Sequence, residues 1–178
     1  MGLRNISLWD HDSVDEGNLG TQGWWEEDIG DKKVRALGST MRALSSEVSV
    51  MEYPSVWGPQ EGPRPVFCCV DTMAARRRIG DTHRGPIFDG RMLGENLRVV
   101  CRGEGPTERY LGTLLSDEEA SEGRCTSRST IYAANILAGL LIFEYIDWVR
   151  GGSLGGMFRD YMYVLPVRQV DHMGDTGR

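Results

Sequence analysis

Three short apolar runs in this chain each end on an aspartate, and a helical pattern follows the first of them. Ile6 to Leu8 leads through Trp9 to Asp10, VFCCV leads to Asp71, and GPIF leads to Asp89. Runs this short, bounded by turn residues, read as buried strands. After the first, Val34, Leu37, Met41 and Leu44 recur on one face, which predicts a helix over 32–44. Strands alternating with helices predict an α/β fold around a mostly parallel sheet. The C-terminal edge of a parallel strand is where doubly wound sheets hold nucleotide ribose hydroxyls with an acid, so Asp10 is a candidate site residue.

The rest of the chain extends this pattern. Val48 to Met51 reads as a weak edge strand, and Trp57 to Pro65 as a Gly/Pro-rich loop. Met73 to Ile79 reads as a short helix. Its three arginines, Arg76, Arg77 and Arg78, form a solvated face or place one guanidinium on an anion. Asn96 to Cys101 and Arg109 to Leu115 have β character, and the GEGPTE stretch between them predicts an antiparallel hairpin. Thr130 to Val149 is the most apolar segment. Its uninterrupted run, Ile136 to Phe143, is too short to span a bilayer, so a helix packed on the sheet is expected, with Ser127 as N-cap and Gly151-Gly152 at its end. A last strand over Tyr161 to Val167 and a mobile tail over 171–178 complete a single domain, 1–170.

Composition narrows the function. A net charge of -6 argues against a nucleic-acid binder, whose affinity depends on neutralising phosphates. The four cysteines include no pair at metal-finger spacing, so no zinc site is expected. Cys68 and Cys69 lie in an apolar run and read as buried free thiols, which suits a reducing compartment. The first apolar run is interrupted by Asp10, His11 and Asp12, so no signal peptide is visible and a cytoplasmic location is expected. His11 and His83 read as surface residues. Cys125 has two readings: a half-buried thiol at a helix start, or a thiolate favoured by the helix end, Arg124 and Arg128 that could accept an acyl group.

The wording from Asp10 onward is more specific. D-x-D-x-V-x-x-x-N-L-x-x-Q over residues 10–22, then I-G-x-x-K ending on Lys33, resembles the ATP-binding segment of the ubiquitin-activating-enzyme-like adenylyltransferases, the ThiF/MoeB group. FDGRMLGE and CTSRSTIYAANILAGL resemble bacterial and phage-borne branches of that family, and the likeness runs from Leu3 to about Val167 outside the loops. It implies a Rossmann-like, mostly parallel sheet with an antiparallel hairpin extension. It implies ATP and Mg²⁺ as cofactors, with Asp10 on the ribose, Asn18 and Gln22 lining the nucleotide site, and Lys33 near the phosphates. By the same resemblance, Asp71 in CVDT holds magnesium and the phosphates. The implied activity is ATP-dependent adenylation of the C-terminal carboxylate of a small ubiquitin-like or sulfur-carrier protein. Lys33 and Asp71 would be the catalytic residues, with Cys125 as a further thiol. Family members pair as dimers, and Trp24-Trp25 would serve either that interface or internal packing.

Three departures oppose this reading. Thr21 stands where the family usually has an arginine before the glutamine, and a neutral hydroxyl lacks a guanidinium's charge and fork. The two C-x-x-C pairs of many members are absent. No G-x-G-x-x-G precedes Asp10, and Gly151, Gly152, Gly155 and Gly156 follow a helix rather than a strand. The family's Gly-rich first βα unit therefore has no counterpart here. Its strand belongs in the sheet centre, between the strands ending at Asp10 and Asp71. Another chain supplies that unit, the gene product is shortened, or the sheet is rearranged. The alternative function is a catalytically inactive ThiF-like protein-interaction module.

Overall fold

The computed structural model describes residues 4–58, 64–104, 107–114, 131–151 and 158–165. β1 (Asn5–Trp9) is followed by the single-turn α1 (Leu19–Gln22), α2 (Lys33–Leu44) and β2 (Ser49–Tyr53), which lies parallel to β1. β3 (Val66–Cys68) and β4 (Ile87–Leu93) are parallel, with α3 (Met73–Thr82) between them. β4 pairs antiparallel with β5 (Asn96–Arg102), and β6 (Phe158–Val164) returns antiparallel beside β5. Between β5 and β6 in the chain come α4 (Glu108–Leu111) and α5 (Ile131–Gly151). The fold is Rossmann-like, mixed α/β. Its antiparallel extension is large enough that parallel and antiparallel pairings are equally represented among the described residues.

Strand alternation builds the core of the β3–β6 sheet on two faces. Phe88, Leu97, Val99 and Cys101 point to one side and pack with Ala133, Leu137 and Leu141 of α5. Ile87 and Val100 point to the other, against Ile79 of α3, Tyr110 of α4 and Leu114. Gly90 lets α5 approach closely. A Cβ there would lie 2.9 Å from Leu141 Cδ1 and 3.2 Å from Leu137 Cδ2.

The strands do not form one continuous sheet. Among the described residues no ladder joins β1 to β3, so β1-β2 and β3-β4-β5-β6 are separate. The division falls where the resemblance places the strand of a Gly-rich first βα unit. Arg4 and Asp10 bond to the β2 side and Val66 to Pro86, so by alternation Asn5, Ser7, Trp9 and Phe67 turn their backbone groups to the open edges. Aromatic side chains bridge the division. Trp9 stacks on Tyr53 at 4.1 Å between ring centroids, Trp57 meets Trp9 edge-on at 5.8 Å, and His83 meets Trp57 at 5.8 Å.

Several local expectations change. The hairpin is β4–β5, closed by the two-residue turn Gly94-Glu95, with Gly94 at φ +58° in the left-handed region that a primed hairpin turn needs. The start of 109–115 is helical, because turning there sends Tyr110 inward against Gly80 and up to Asp89. β4 continues through Asp89 to Leu93, which makes Asp89 a buried mid-strand residue rather than a strand-end acid. β6 starts at Phe158, and α5 spans Ile131–Gly151. α5 is long and apolar enough to cross a bilayer by length and composition alone, yet its Ala133–Leu137–Leu141 face packs on the sheet. On α2, Val34, Ala36 and Gly38 are buried, whereas Leu37 and Leu44 of the expected stripe are exposed. His83 is buried, not on the surface. Its Nε2 lies 2.9 Å from the Arg64 carbonyl and its ring lies against Trp57. Cys68 is buried but Cys69 is exposed, since neighbours in an extended segment face opposite ways. Ser127, Cys125 and the expected tail, 171–178, lie outside the described residues.

Candidate functional site

Asp10 follows the last residue of β1, and its backbone N–H donates to the Tyr53 carbonyl at 3.3 Å. Its Oδ1 accepts from the Asp12 N–H at 2.8 Å, closing a tight Asx-type turn. A short antiparallel contact then brings the chain back to this turn. Val14 N–H donates to Asp31 O at 2.9 Å, Gly30 N–H to Val14 O at 2.9 Å, and Lys33 N–H to Asp12 O at 3.1 Å. The buried Val14 side chain pins this contact, and Gly30 makes the return at φ +92°, a conformation that excludes most other residues.

Lys33 opens α2 directly beside Asp12, with Nζ 3.3 Å from Oδ2 and its side chain only 14% exposed. Lys32 Nζ donates to the His11 carbonyl at 2.7 Å. A strand-end acid, a second acid and two ammonium groups thus converge from residues far apart in the sequence. The acids can accept hydroxyl hydrogen bonds, and Lys33 can meet a phosphate by exchanging its ion pair with Asp12. The ligand atoms of Asp10, His11 and Asp12 also lie within 4.8 Å of one another, but a cation there would compete with the Lys33 ammonium for Asp12.

The other expected site residues are placed differently. Asn18 Oδ1 accepts from the Asp15 N–H at 3.4 Å, and Gln22 Oε1 accepts from Trp24 Nε1 at 3.1 Å, so both amides serve their own turns. Asp71 is exposed in the turn after β3. Among the described residues no hydrogen bond or ion pair joins it to Asp10, Asp12 or Lys33. Thr72 follows as the cap of α3, its Oγ1 accepting from Ala75 N–H at 3.2 Å. The structure therefore joins Lys33 to the Asp10–Asp12 turn, and among the described residues Asp71 makes no ion pair.

Sequence reasoning missed the charged cluster behind that turn. Asp89 Oδ1 accepts from Arg76 Nε at 3.1 Å, while Oδ2 accepts from Arg91 Nε at 2.8 Å and Tyr110 O–H at 3.0 Å. Arg76 also reaches the carbonyls of Gly90 at 3.1 Å and Thr72 at 3.4 Å, and Arg91 reaches Thr113 O at 2.7 Å. Arg76 is thus neither solvated nor free for an external anion; it ties the Asp71-Thr72 turn to β4. Helical geometry supplied the one available signal, since three consecutive arginines cannot all face water on a packed helix. Burial, reinforced by Asp89, pushes the Tyr110 hydroxyl far above its ordinary range. Burial likewise pushes the Cys68 and Cys101 thiols up to about 12, which keeps both protonated and unreactive.

Residues 1–164 match the profile of the ThiF family. The chain belongs to the ThiF family. Among solved structures, E. coli MccB with ATP is similar to this ThiF-family chain at 16% identity and a TM-score of 0.63, covering 95% of this chain and 58% of MccB. E. coli MccB with AMPCPP and MccA is similar at 14% identity and a TM-score of 0.62, covering 95% and 59%. PaaA is similar at 15% identity and a TM-score of 0.61, covering 89% and 63%. The chain spans less than two thirds of each of these proteins, and at such identities the likeness shows the fold alone. No curated protein matches the chain.

Proposed function

We propose that this ThiF-family chain carries part of an ATP site that adenylates the C-terminal carboxylate of a small peptide, or of a small ubiquitin-like or sulfur-carrier protein. The observation that carries this reading is the antiparallel contact that sets Lys33 beside the Asp10–Asp12 turn. In the reaction a carboxylate oxygen attacks the α-phosphorus, the bond to the β-phosphate bridge oxygen breaks, and pyrophosphate leaves. Lys33 would hold negative phosphate oxygens in place, and Asp10 would orient the ribose. Asp71 is exposed and makes no ion pair among the described residues, which fits a magnesium site, because Mg²⁺ takes one or two carboxylates together with substrate phosphates. That ion would neutralise triphosphate charge. MccB structures with ATP, and with AMPCPP and MccA, support a nucleotide and a second partner on this fold.

The open edges of β1 and β3 support one further part of the reading. The partner is either a second copy, giving a homodimer, or a chain that supplies a Gly-rich strand-turn-helix to these edges, and the assembly acts in the cytoplasm. Cys125 as an acyl acceptor belongs to the same proposal.

The test is ATP–pyrophosphate exchange by the full chain with magnesium, a candidate carrier and any partner subunit. Exchange that is lost in Asp10→Asn and Lys33→Ala is the expected result. No exchange in any pairing, with no Mg-ATP binding by calorimetry, overturns the reading. One observation favours a second reading, an inactive interaction module: Asn18 and Gln22 are both engaged within their own turns. Mg-ATP affinity that is lost on Asp71→Ala counts against that module.

A further inference from the structure

A cleft of about 600 Å³ opens beside α1, lined by Leu19, Gly20, Trp24, Trp25, Glu26 and Glu27. None of Asp10, Asp12, Lys33 or Asp71 lines it. Its volume falls within the roughly 300–1,000 Å³ typical of ligand sites, which suits a group larger than a lone ion. Its walls combine indole rings and carboxylates. Trp24 is half-buried, and its ring is held by the Nε1 hydrogen bond to Gln22 at 3.1 Å. Trp25 is 66% exposed, while its backbone is fixed by the N–H bond to Asp28 Oδ2 at 2.9 Å. A wide aromatic face is therefore presented to the cleft on a held backbone.

Both charged residues that line the cleft among the described residues, Glu26 and Glu27, are acids. From Asp15 to Asp31 the chain carries Asp15, Glu16, Glu26, Glu27, Asp28 and Asp31, and no lysine or arginine. Glu26 and Glu27 are exposed and make no ion pair among the described residues. Such a cleft repels a triphosphate. A planar or compact organic cation is attracted twice over, by the ring faces and by the carboxylates.

We propose that this cleft binds the basic side chain, guanidinium or ammonium, of a peptide. The ammonium or guanidinium lies over the Trp25 indole with Glu26 and Glu27 as counter-charges, and the half-buried Trp24, also in the lining, meets the aliphatic stem. The inference rests on the adenylation reading only in taking a peptide as the carrier of that side chain; nucleotide binding plays no part in it.

The experiment titrates three blocked tripeptides into the full chain without nucleotide: Ac-Gly-Arg-Gly-NH₂, Ac-Gly-Lys-Gly-NH₂ and the neutral citrulline counterpart. The readout is the indole N–H resonances of Trp24 and Trp25. At least one basic peptide should give a saturable shift, and the citrulline peptide should bind about tenfold more weakly or worse. The Glu26→Gln/Glu27→Gln variant should weaken the basic peptide by a similar factor. Trp25→Ala should do so too, with an unchanged thermal midpoint because that side chain is largely exposed. Whether the arginine or the lysine peptide binds more tightly identifies the cation. Equal binding of the citrulline peptide, no saturation by either basic peptide, or undiminished affinity in the double variant overturns the proposal. A chain that binds Mg-ATP but neither basic peptide sinks this inference alone, and the converse result sinks only the nucleotide reading.

Discussion

Arg76, on α3, donates through Nε to Oδ1 of Asp89, on β4, at 3.1 Å, with both side chains almost wholly removed from water. The same carboxylate holds Arg91 at 2.8 Å and the Tyr110 hydroxyl at 3.0 Å. One acid therefore compensates two buried guanidiniums. Asp89→Ala would leave both uncompensated, and an unpaired buried charge typically costs about 3–5 kcal/mol. Urea denaturation should show a loss of that order for Asp89→Ala and a smaller one for Asp89→Asn, which keeps an acceptor oxygen. A midpoint unmoved by Asp89→Ala would contradict this placement of the cluster.

His83 gives stability a dependence on mild acid. Burial holds its pKa below the ordinary histidine value, a shift that its contact with the Arg64 carbonyl partly opposes. The unfolded chain therefore binds a proton at a higher pH than the folded one. Stability from the neutral ring is complete above about pH 6.5, the unfolded value, and falls as pH drops through it toward the folded pKa. Asp160 is held low by its hydrogen bonds to Arg98 and acts only further into acid, so the two windows separate. Thermal midpoints between pH 5 and 8 should fall toward acid in the wild type and fall less in His83→Gln. Parallel curves would exclude His83 as the source.

The contact of α5 with β4 should be intolerant of added volume and of lost volume alike. Gly90→Ala would push a methyl against Leu141 and Leu137, at roughly 1–3 kcal/mol for overpacking. Leu141→Ala should cost roughly 2–5 kcal/mol. Leu140, only partly buried at the margin of the same cluster, should cost about half as much. The order Leu141 above Leu140 is the check. Its reversal in chemical denaturation would mean that the other face of α5 meets the sheet.

Lys33 is predicted to act on phosphate while Asp12 competes for it. Lys33→Ala should weaken Mg-ATP binding with little change in thermal midpoint, because its ion pair is with a half-exposed acid and such pairs add about 0–1 kcal/mol. Asp12→Asn removes that competitor and should tighten Mg-ATP binding by about twofold to fivefold, the equivalent of a pair of that strength. Calorimetric titration decides both. Unchanged affinity in Lys33→Ala removes this lysine from the site.

The divided sheet makes a prediction about exchange. In the isolated chain the amides of Asn5, Ser7, Trp9 and Phe67 should exchange faster than those facing the established ladders. Addition of a partner that completes the sheet should protect these four together. Strong protection in a monodisperse monomer would show that the edges are already satisfied, and would count against a partner strand.

Local patterns were legible without the fold. The Val34 pattern lies in a helix observed over Lys33–Leu44, the run before Asp10 forms β1, and the apolar segment up to Gly151 forms α5. Each depends on periodicity or turn chemistry within a few residues, which the chain carries in its own order. The D-x-D and I-G-x-x-K wordings likewise marked Asp10 and Lys33 as candidates, and the structure joins Lys33 to the Asp10–Asp12 turn through Asp12.

Only the tertiary structure decided the rest. Asp89 looked like another strand-end acid, and its burial depends on Arg76, Arg91 and Tyr110, which reach it from α3, β4 itself and α4. His83 looked like a surface residue until Trp57 and the Arg64 carbonyl closed around it. Residues 108–111 have strand-like neighbours, but the space beside Gly80 is filled by Tyr110 only when the backbone turns helical. Charge compensation and cavity filling are properties of side chains meeting from different elements, and no pattern within a single element encodes them. The motif could name candidate residues for a site; where Asp71 stands relative to Lys33, and whether a strand lies between them, is set by how the two sheets meet.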